Sequence, residues 1–397
     1  MKPANIPVLM LAQSLAMATA PVVILLGGII GTDLAPTPAL ATLPVSTMIV
    51  GTAVATVPAA LLMERFGRRI GFVSAALVAM CAALMAAFSI ASHNFWLLVL
   101  ATFFLGTKLA FIQQYRFAAV ESVRPENASK AIGWVLAGGI VAAYLGPAIA
   151  KATSDWLPYG LYTGSFVALA VILLLASVVL CFYRNVQVST AVVEEPSRSL
   201  VEIFRQPVVL VALCSGVTAY AVMSFIMTAT PLSMHLIDHH SMSDTTWVIQ
   251  SHVLAMFIPS LFTGYLIAWV GLHRILLMGV LLNMGTVVFA LSGHDLHNYW
   301  WALVLLGVGW NFLFVGATML LTQTYVPQER FKVQAVNDFG IFTFQAIGSL
   351  GSGVVMYHFG WAAIQWVSLP FLILSLFAVF YFYRIQQKGA ITASAHI

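Results

Sequence analysis

Four ionisable side chains sit inside long apolar runs of this 397-residue chain: Lys108 in "FFLGTKLAFIQQ", Arg116 in "QQYRFAAVE", His252 in "VIQSHVLAMF" and Asp338 in "VNDFGIF". A charge held in an apolar layer costs about 2.5–3.5 kcal/mol even on permissive scales, so such a group is a functional candidate by default. Lys108 is placed to attract an anionic group. Asp338 and His252 are candidates to take up and release a proton, His because its ordinary titration range is near neutral. Arg116 and Gln113 belong to a polar cluster with Gln114 and Tyr115. Each also has a plainer reading. The two cations extend to water, the histidine is hydrogen-bonded in a core, and Asp338 caps its helix or pairs with Lys332 or Arg116.

Neutral groups recur in the same runs: Gln13, Tyr220, Thr228, Trp310, Asn311 and Gln345. An apolar pocket with a few such groups suits a flat organic ligand. The competing reading is helix–helix hydrogen bonding, worth about 0.6 kcal/mol per bond in lipid. "MHLIDHH", with His235, Asp238, His239 and His240, has a spacing that a metal tolerates, but no cysteine supports it, and no metal site is expected. Cys81, Cys181 and Cys214 form no CxxC pair and read as small core residues. No nucleotide-binding loop, zinc-protease helix or nucleophile elbow is present, so no cofactor, ATP-driven pump or enzyme is implied. A net charge of +4 comes from scattered basic residues that form no stripe, which argues against nucleic acid.

The elements that position these groups follow from composition. Hydrophobic residues make up 61% of the chain and charged residues 8%, against about a quarter charged in soluble domains. So few charges cannot cover a water-exposed surface, and the solvent must be lipid. A spanning helix needs roughly 20 apolar residues. Twelve runs qualify: 7–31, 39–62, 70–91, 95–117, 130–150, 160–182, 207–233, 246–268, 274–292, 300–322, 333–356 and 361–383. None alternates with period two, which excludes a β-barrel.

The longest polar stretch, 184–206, divides the chain near its middle. The expected organisation is therefore a six-helix bundle over 1–183, a linker over 184–206 and a second six-helix bundle over 207–397. "RPENASKAIG" after the fourth run and "VPQERFKVQA" after the tenth, like "FGRR" and "VGLHR" after the second and eighth, indicate duplication. Paired six-helix repeats place a ligand site at their interface near the bilayer midplane. With the N-terminus inside, fourteen lysines and arginines fall on the cytoplasmic side and Lys151 alone outside. That asymmetry puts both termini in the cytoplasm.

One loop concentrates charge: "MERFGRRIGF", residues 63–72. With Ala60 and Leu62 it resembles the signature that the major facilitator superfamily carries after its second helix, matched at Glu64, Arg65, Gly67, Arg68 and Arg69. Glu64 stands where the family usually has Asp, and Ala60 replaces the first Gly. The resemblance implies an all-α membrane protein of twelve transmembrane helices in two pseudo-symmetric bundles, monomeric, and a secondary transporter of a small organic solute by alternating access. It implies that Glu64 sits against the start of the eleventh helix. It also implies that Arg68 pairs with Glu121, a latch that favours an outward-open state and breaks as the halves rock. The bland alternative is that these charges only fix topology.

"GWVLAGGIVAAYLGP" partly resembles the family's antiporter signature, through Gly133, Gly146 and Pro147, while Thr102 stands where drug antiporters carry an arginine. "YRFAAVESV", "VIQSHVLAMFIPSLFTG" and "GVGWNFLFVGAT" are similar to a bacterial group of the superfamily that includes proposed riboflavin importers. The implied function is proton-coupled uptake of riboflavin or a similar aromatic compound across the bacterial inner membrane. The alternatives are efflux of drugs or metabolites, and a receptor on the same fold that does not transport.

Overall fold

The computed structural model describes residues 5–124, 128–186, 198–326 and 329–394, apart from the side chains of some helical residues, Glu64 among them. Among the described residues every regular element is helical. Among the described residues eleven helical stretches are long and apolar enough to cross a membrane, the last running Ala335–Arg384. That stretch turns at Gly360, with φ 77° and ψ −176°, which divides it into two spans and gives twelve.

The duplication is visible in the backbone. Gly67 joins the second and third spans at φ 83°, ψ 156°, and Gly271 joins the eighth and ninth at φ 91°, ψ 149°. A side chain at either position would be strained, so glycine is what permits both reversals. Gly160 and Gly360 likewise take positive φ before the sixth and twelfth spans. The result is two pseudo-symmetric six-helix bundles.

In lipid, close van der Waals packing rather than hydrophobicity holds helices together, and small residues allow it. The third span, Arg68–Ala91, buries Ala75, Ala76, Ala79, Ala82, Ala83, Ala86 and Ala87 on one helical face. Its opposite face exposes Leu77, Leu84 and Phe88. The second and fourth spans approach so closely that a Cβ on Gly51 or Gly106 would strike the backbone of Phe103 or Met48. Cys81 and Cys181 are exposed and Cys214 is half-buried, contrary to the core position expected for them. An apolar run in lipid shows no polar face, so composition did not reveal which side points outward.

Several spans are broken beside the inter-bundle space. The first is interrupted at 17–18, between Asn5–Ala16 and Thr19–Leu34. Pro21 has no N–H for the Met17 carbonyl, which instead accepts from Ala20 at 3.3 Å. Pro259 interrupts the eighth span between Met242–Phe257 and Ser260–Val270. The seventh span, Pro207–Pro231, passes into a π-helical turn over Leu232–Ile237. Caps fix other ends. Asn94 accepts from Leu97 N at 3.0 Å, and Ser241 with Asp244 forms a capping box on the eighth span.

Candidate functional site: a cavity between the two bundles

At one end the bundles are pressed together. Ser46 Oγ on the second span lies 3.0 Å from Ser349 Oγ on the eleventh, and Ser349 is 2.9 Å from Thr228 Oγ1 on the seventh. Lys151 Nζ donates to Ser243 Oγ at 3.2 Å at the same end. Gly28 abuts Leu232, and Gly353 abuts Thr42. These contacts seal the interface at the end away from the "MERFGRR" loop.

Below the seal lies a cavity of about 640 Å³ that extends to Glu121 and Tyr325, near the arginine-bearing end. Its two walls differ. The first bundle contributes mainly apolar groups, including Met17, Ile24, Met48, Ile49, Leu109 and Ile112, with Gln13, Thr52, Gln113 and Arg116 among them. The second contributes rings. Tyr220 meets Trp310, Phe314 and Phe342 edge-on at centroid distances of 5.2, 5.0 and 5.4 Å, and Trp310 stacks on Phe314 at 5.2 Å. Offset and edge-to-face rings are the favoured aromatic geometry, and all four residues line the cavity.

Of the cavity candidates, Gln13, Gln113, Arg116, Tyr220, Thr228, Trp310 and Gln345 line the space, as do His252 and Asp338. Lys108 and Asn311 do not. Lys108 on the fourth span is 1% exposed and is not among the lining residues, and its Nζ has no hydrogen-bond partner among the described residues. Asn311 is consumed by structure: it donates to Met256 O at 2.7 Å and Ser260 Oγ at 2.6 Å, and accepts from Thr263 at 2.7 Å. Those bonds stitch the broken eighth span to the tenth.

His252 Nδ1 lies 2.7 Å from the Leu303 carbonyl, so Nδ1 carries the hydrogen. Among the described residues its Nε2 has no partner, and neither have Gln13 Oε1 and Trp310 Nε1, all buried polar atoms of cavity-lining residues. Buried groups left unpaired are uncommon, and a bound molecule is one way to satisfy them.

Arg116 and Asp338 meet across the cavity, Nη2 to Oδ2 at 3.3 Å, with the Arg116 guanidinium 5.7 Å from the Phe314 ring centroid. This ion pair joins the two bundles. Arg68 and Glu121 form a bidentate pair at 2.8 and 2.6 Å, and both belong to the first bundle. The pair implied by the resemblance is thus present, and it lies within one half. The Glu64 side chain lies outside the described residues, and Arg65 stacks over Phe66 at 5.3 Å. Arg69 N donates to Asn185 Oδ1 at 2.9 Å, tying the loop to the start of the linker.

Two polar anchors escaped the sequence reading. Asn5 donates to Ser122 Oγ at 3.0 Å and Arg184 O at 2.8 Å, and accepts from Arg184 N at 3.0 Å, clamping the first, fourth and sixth spans. Arg198, at the far end of the linker, grips Glu329 at 2.7 and 3.0 Å and the Thr324 carbonyl at 2.9 Å. The Arg198 hydrogen bonds hold the Glu329 carboxyl down to about 2. Asparagine at an apolar run's edge, or glutamate in a loop, has no pattern that marks it as an anchor.

The family model of the Major Facilitator Superfamily matches residues 8–340 and, in a second overlapping match, 238–395. The chain belongs to that family. Riboflavin transporter RfnT of Brucella anthropi is 40% identical over 392 residues, covering 97% of each chain. The uncharacterised MFS-type transporter YddS of Bacillus subtilis is 27% identical, over 92% of this chain and 88% of its own. A bacterial homologue of the human lysosomal transporter Spinster, solved in an inward-facing, unoccupied conformation, superposes with a TM-score of 0.74 at 13% identity, covering 96% of both chains. It shares the fold. The chain is a multi-pass membrane transporter of a small organic solute and not an enzyme.

Proposed function

We propose that this transporter imports riboflavin, or a closely similar flat aromatic, across the bacterial inner membrane. The observation that carries the reading is the ring cluster of Tyr220, Trp310, Phe314 and Phe342 on one wall of the inter-bundle cavity. The RfnT relative, a riboflavin transporter by name, supports the choice of substrate. Aromatic faces bind a planar ring system at little entropic cost, and the apolar opposite wall excludes water.

In this account both termini and the arginine-bearing end are cytoplasmic, so the sealed end is periplasmic and the cavity is in its inward-facing form. Residues 1–183 and 207–397 rock about the cavity as two bodies of one monomer, joined by 184–206. The Arg116–Asp338 pair is the contact that must break and re-form between them. Glu64, Arg65, Gly67, Arg68, Arg69 and Glu121 keep the cytoplasmic end of the first bundle rigid, with Glu64 acting toward the eleventh span. Asp338 and His252 are the groups that couple the cycle to protons.

Growth decides the substrate. A riboflavin auxotroph on limiting vitamin should grow with the gene and fail without it; equal growth refutes import of riboflavin.

A further inference from the structure

The cavity changes character along its axis. On the seventh span Tyr220, Ser224 and Thr228 recur every fourth residue, hence on one face, each roughly 6 Å beyond the last. The eleventh span answers them in order. Phe342 lies beside Tyr220 at 5.4 Å, Gln345 Nε2 donates to Ser224 Oγ at 2.7 Å, and Ser349 Oγ is 2.9 Å from Thr228 Oγ1. Over two helical turns the pairing passes from ring–ring to amide–hydroxyl to hydroxyl–hydroxyl. Ser224, Thr228 and Ser349 are all buried, and Ser224, Thr228 and Gln345 line the cavity.

Two further cavity-lining residues bring acceptors without donors. Gln13 Oε1 is one. His252 Nε2 is the other, because Nδ1 already gives its hydrogen to Leu303. Hydroxyls that donate and accept, in the same cavity as acceptors in want of a hydrogen, match a ligand segment whose every group does both. A carboxylate brings no hydrogen, and an alkyl chain satisfies none of these groups.

We propose that Ser224, Thr228, Gln345 and Ser349 form a subsite for a polyhydroxyl tail, separate from the ring pocket around Tyr220. It rests on the flavin reading above and adds where the non-aromatic part of the ligand is recognised. Ser349 also meets Ser46 of the other bundle at 3.0 Å, so a ligand hydroxyl recruited at Thr228 competes for the group that closes the seal. Tail recognition and release of the seal thereby share one hydroxyl.

The test compares riboflavin with lumiflavin, which has the same ring and a methyl in place of the ribityl tail. Purified full-length protein in proteoliposomes gives the riboflavin KM and the inhibition constant of lumiflavin. Wild type should favour riboflavin by about tenfold or more, and Thr228→Val or Ser349→Ala should cut that ratio roughly fivefold, because a site built for hydroxyls discriminates through them. Thr228→Ser, which keeps the hydroxyl, should restore the ratio. A wild-type ratio near one, or a ratio that the variants leave intact, overturns the subsite while riboflavin transport stands. A wild-type protein that carries neither flavin overturns the functional reading and the subsite with it.

Discussion

Arg116 on the fourth span and Asp338 on the eleventh meet at 3.3 Å across the cavity, each with only 14% and 11% of its side chain exposed. One residue comes from each bundle, so the pair cannot survive a motion that parts the bundles at this level. Truncating either partner strands the other charge in a mostly apolar space. Asp338→Asn or Arg116→Ala should lower uptake roughly tenfold or more, equivalent to about 1.4 kcal/mol per decade. The exchanged pair, Arg116→Asp with Asp338→Arg, should recover part of the loss. Initial uptake rates at matched expression check both, and undiminished uptake in the single variants would remove the pair from the cycle.

Tyr220 touches three rings that face the cavity, so it anchors the aromatic wall. Tyr220→Ala removes these contacts, each worth about 0.5–1.5 kcal/mol beyond burial, and should raise the riboflavin KM about tenfold. Tyr220→Phe keeps the ring and should stay close to wild type. Quenching of flavin fluorescence on binding reports the same change.

The Arg68–Glu121 pair is bidentate, and both side chains are about 15% exposed. Hydrogen bonds to charged groups contribute about 1.5–3 kcal/mol net, and partial exposure places this pair low in that range. Glu121→Gln should therefore lower the Tm of the detergent-solubilised protein by a few degrees. Because both residues sit in one bundle, flavin affinity at equilibrium should change less than stability does. Thermal melts beside binding titrations separate the two.

Arg198 depresses Glu329 from the ordinary 4.5 to about 2. A carboxylate held below its unfolded value stabilises the fold fully above pH 4.5, and that contribution is lost as pH falls toward 2. The Tm difference between wild type and Glu329→Gln should accordingly be flat from pH 5 to 8 and shrink as pH falls below 4.5. A difference that changes between pH 6 and 8 would mean another group titrates at this tether.

The sequence carried the architecture because lipid imposes strong rules: span length, charge asymmetry and the glycine reversals at Gly67 and Gly271 all left marks on the chain. Nine of the cavity and proton-coupling candidates it named line the cavity, since polar residues in apolar runs are scarce. What it could not carry was direction around each helix. Lys108 looked like the strongest cavity candidate and is buried without lining the cavity. Asn311 looked like a ligand group and is spent on stitching the broken eighth span. Arg68 and Glu121 were taken together and do pair, both within the first bundle, and Asp338 meets Arg116, one of the two cations weighed for it. The sequence offered Lys332 and Arg116 alike as partners of Asp338, and the choice between them is what left no local trace.

The central claim is that a flavin crosses the membrane through this cavity as the seal between Ser46 and Ser349 opens and closes. The most direct measurement is radiolabelled riboflavin uptake into proteoliposomes holding the Ser46→Cys, Ser349→Cys double variant, before and after oxidation. The two hydroxyl oxygens are 3.0 Å apart, within easy reach of a disulfide once both positions are cysteine. Uptake should be saturable in the reduced protein, fall to the level of empty liposomes on oxidation and return with reductant. Uptake that continues at full rate across a cross-linked seal would contradict the account.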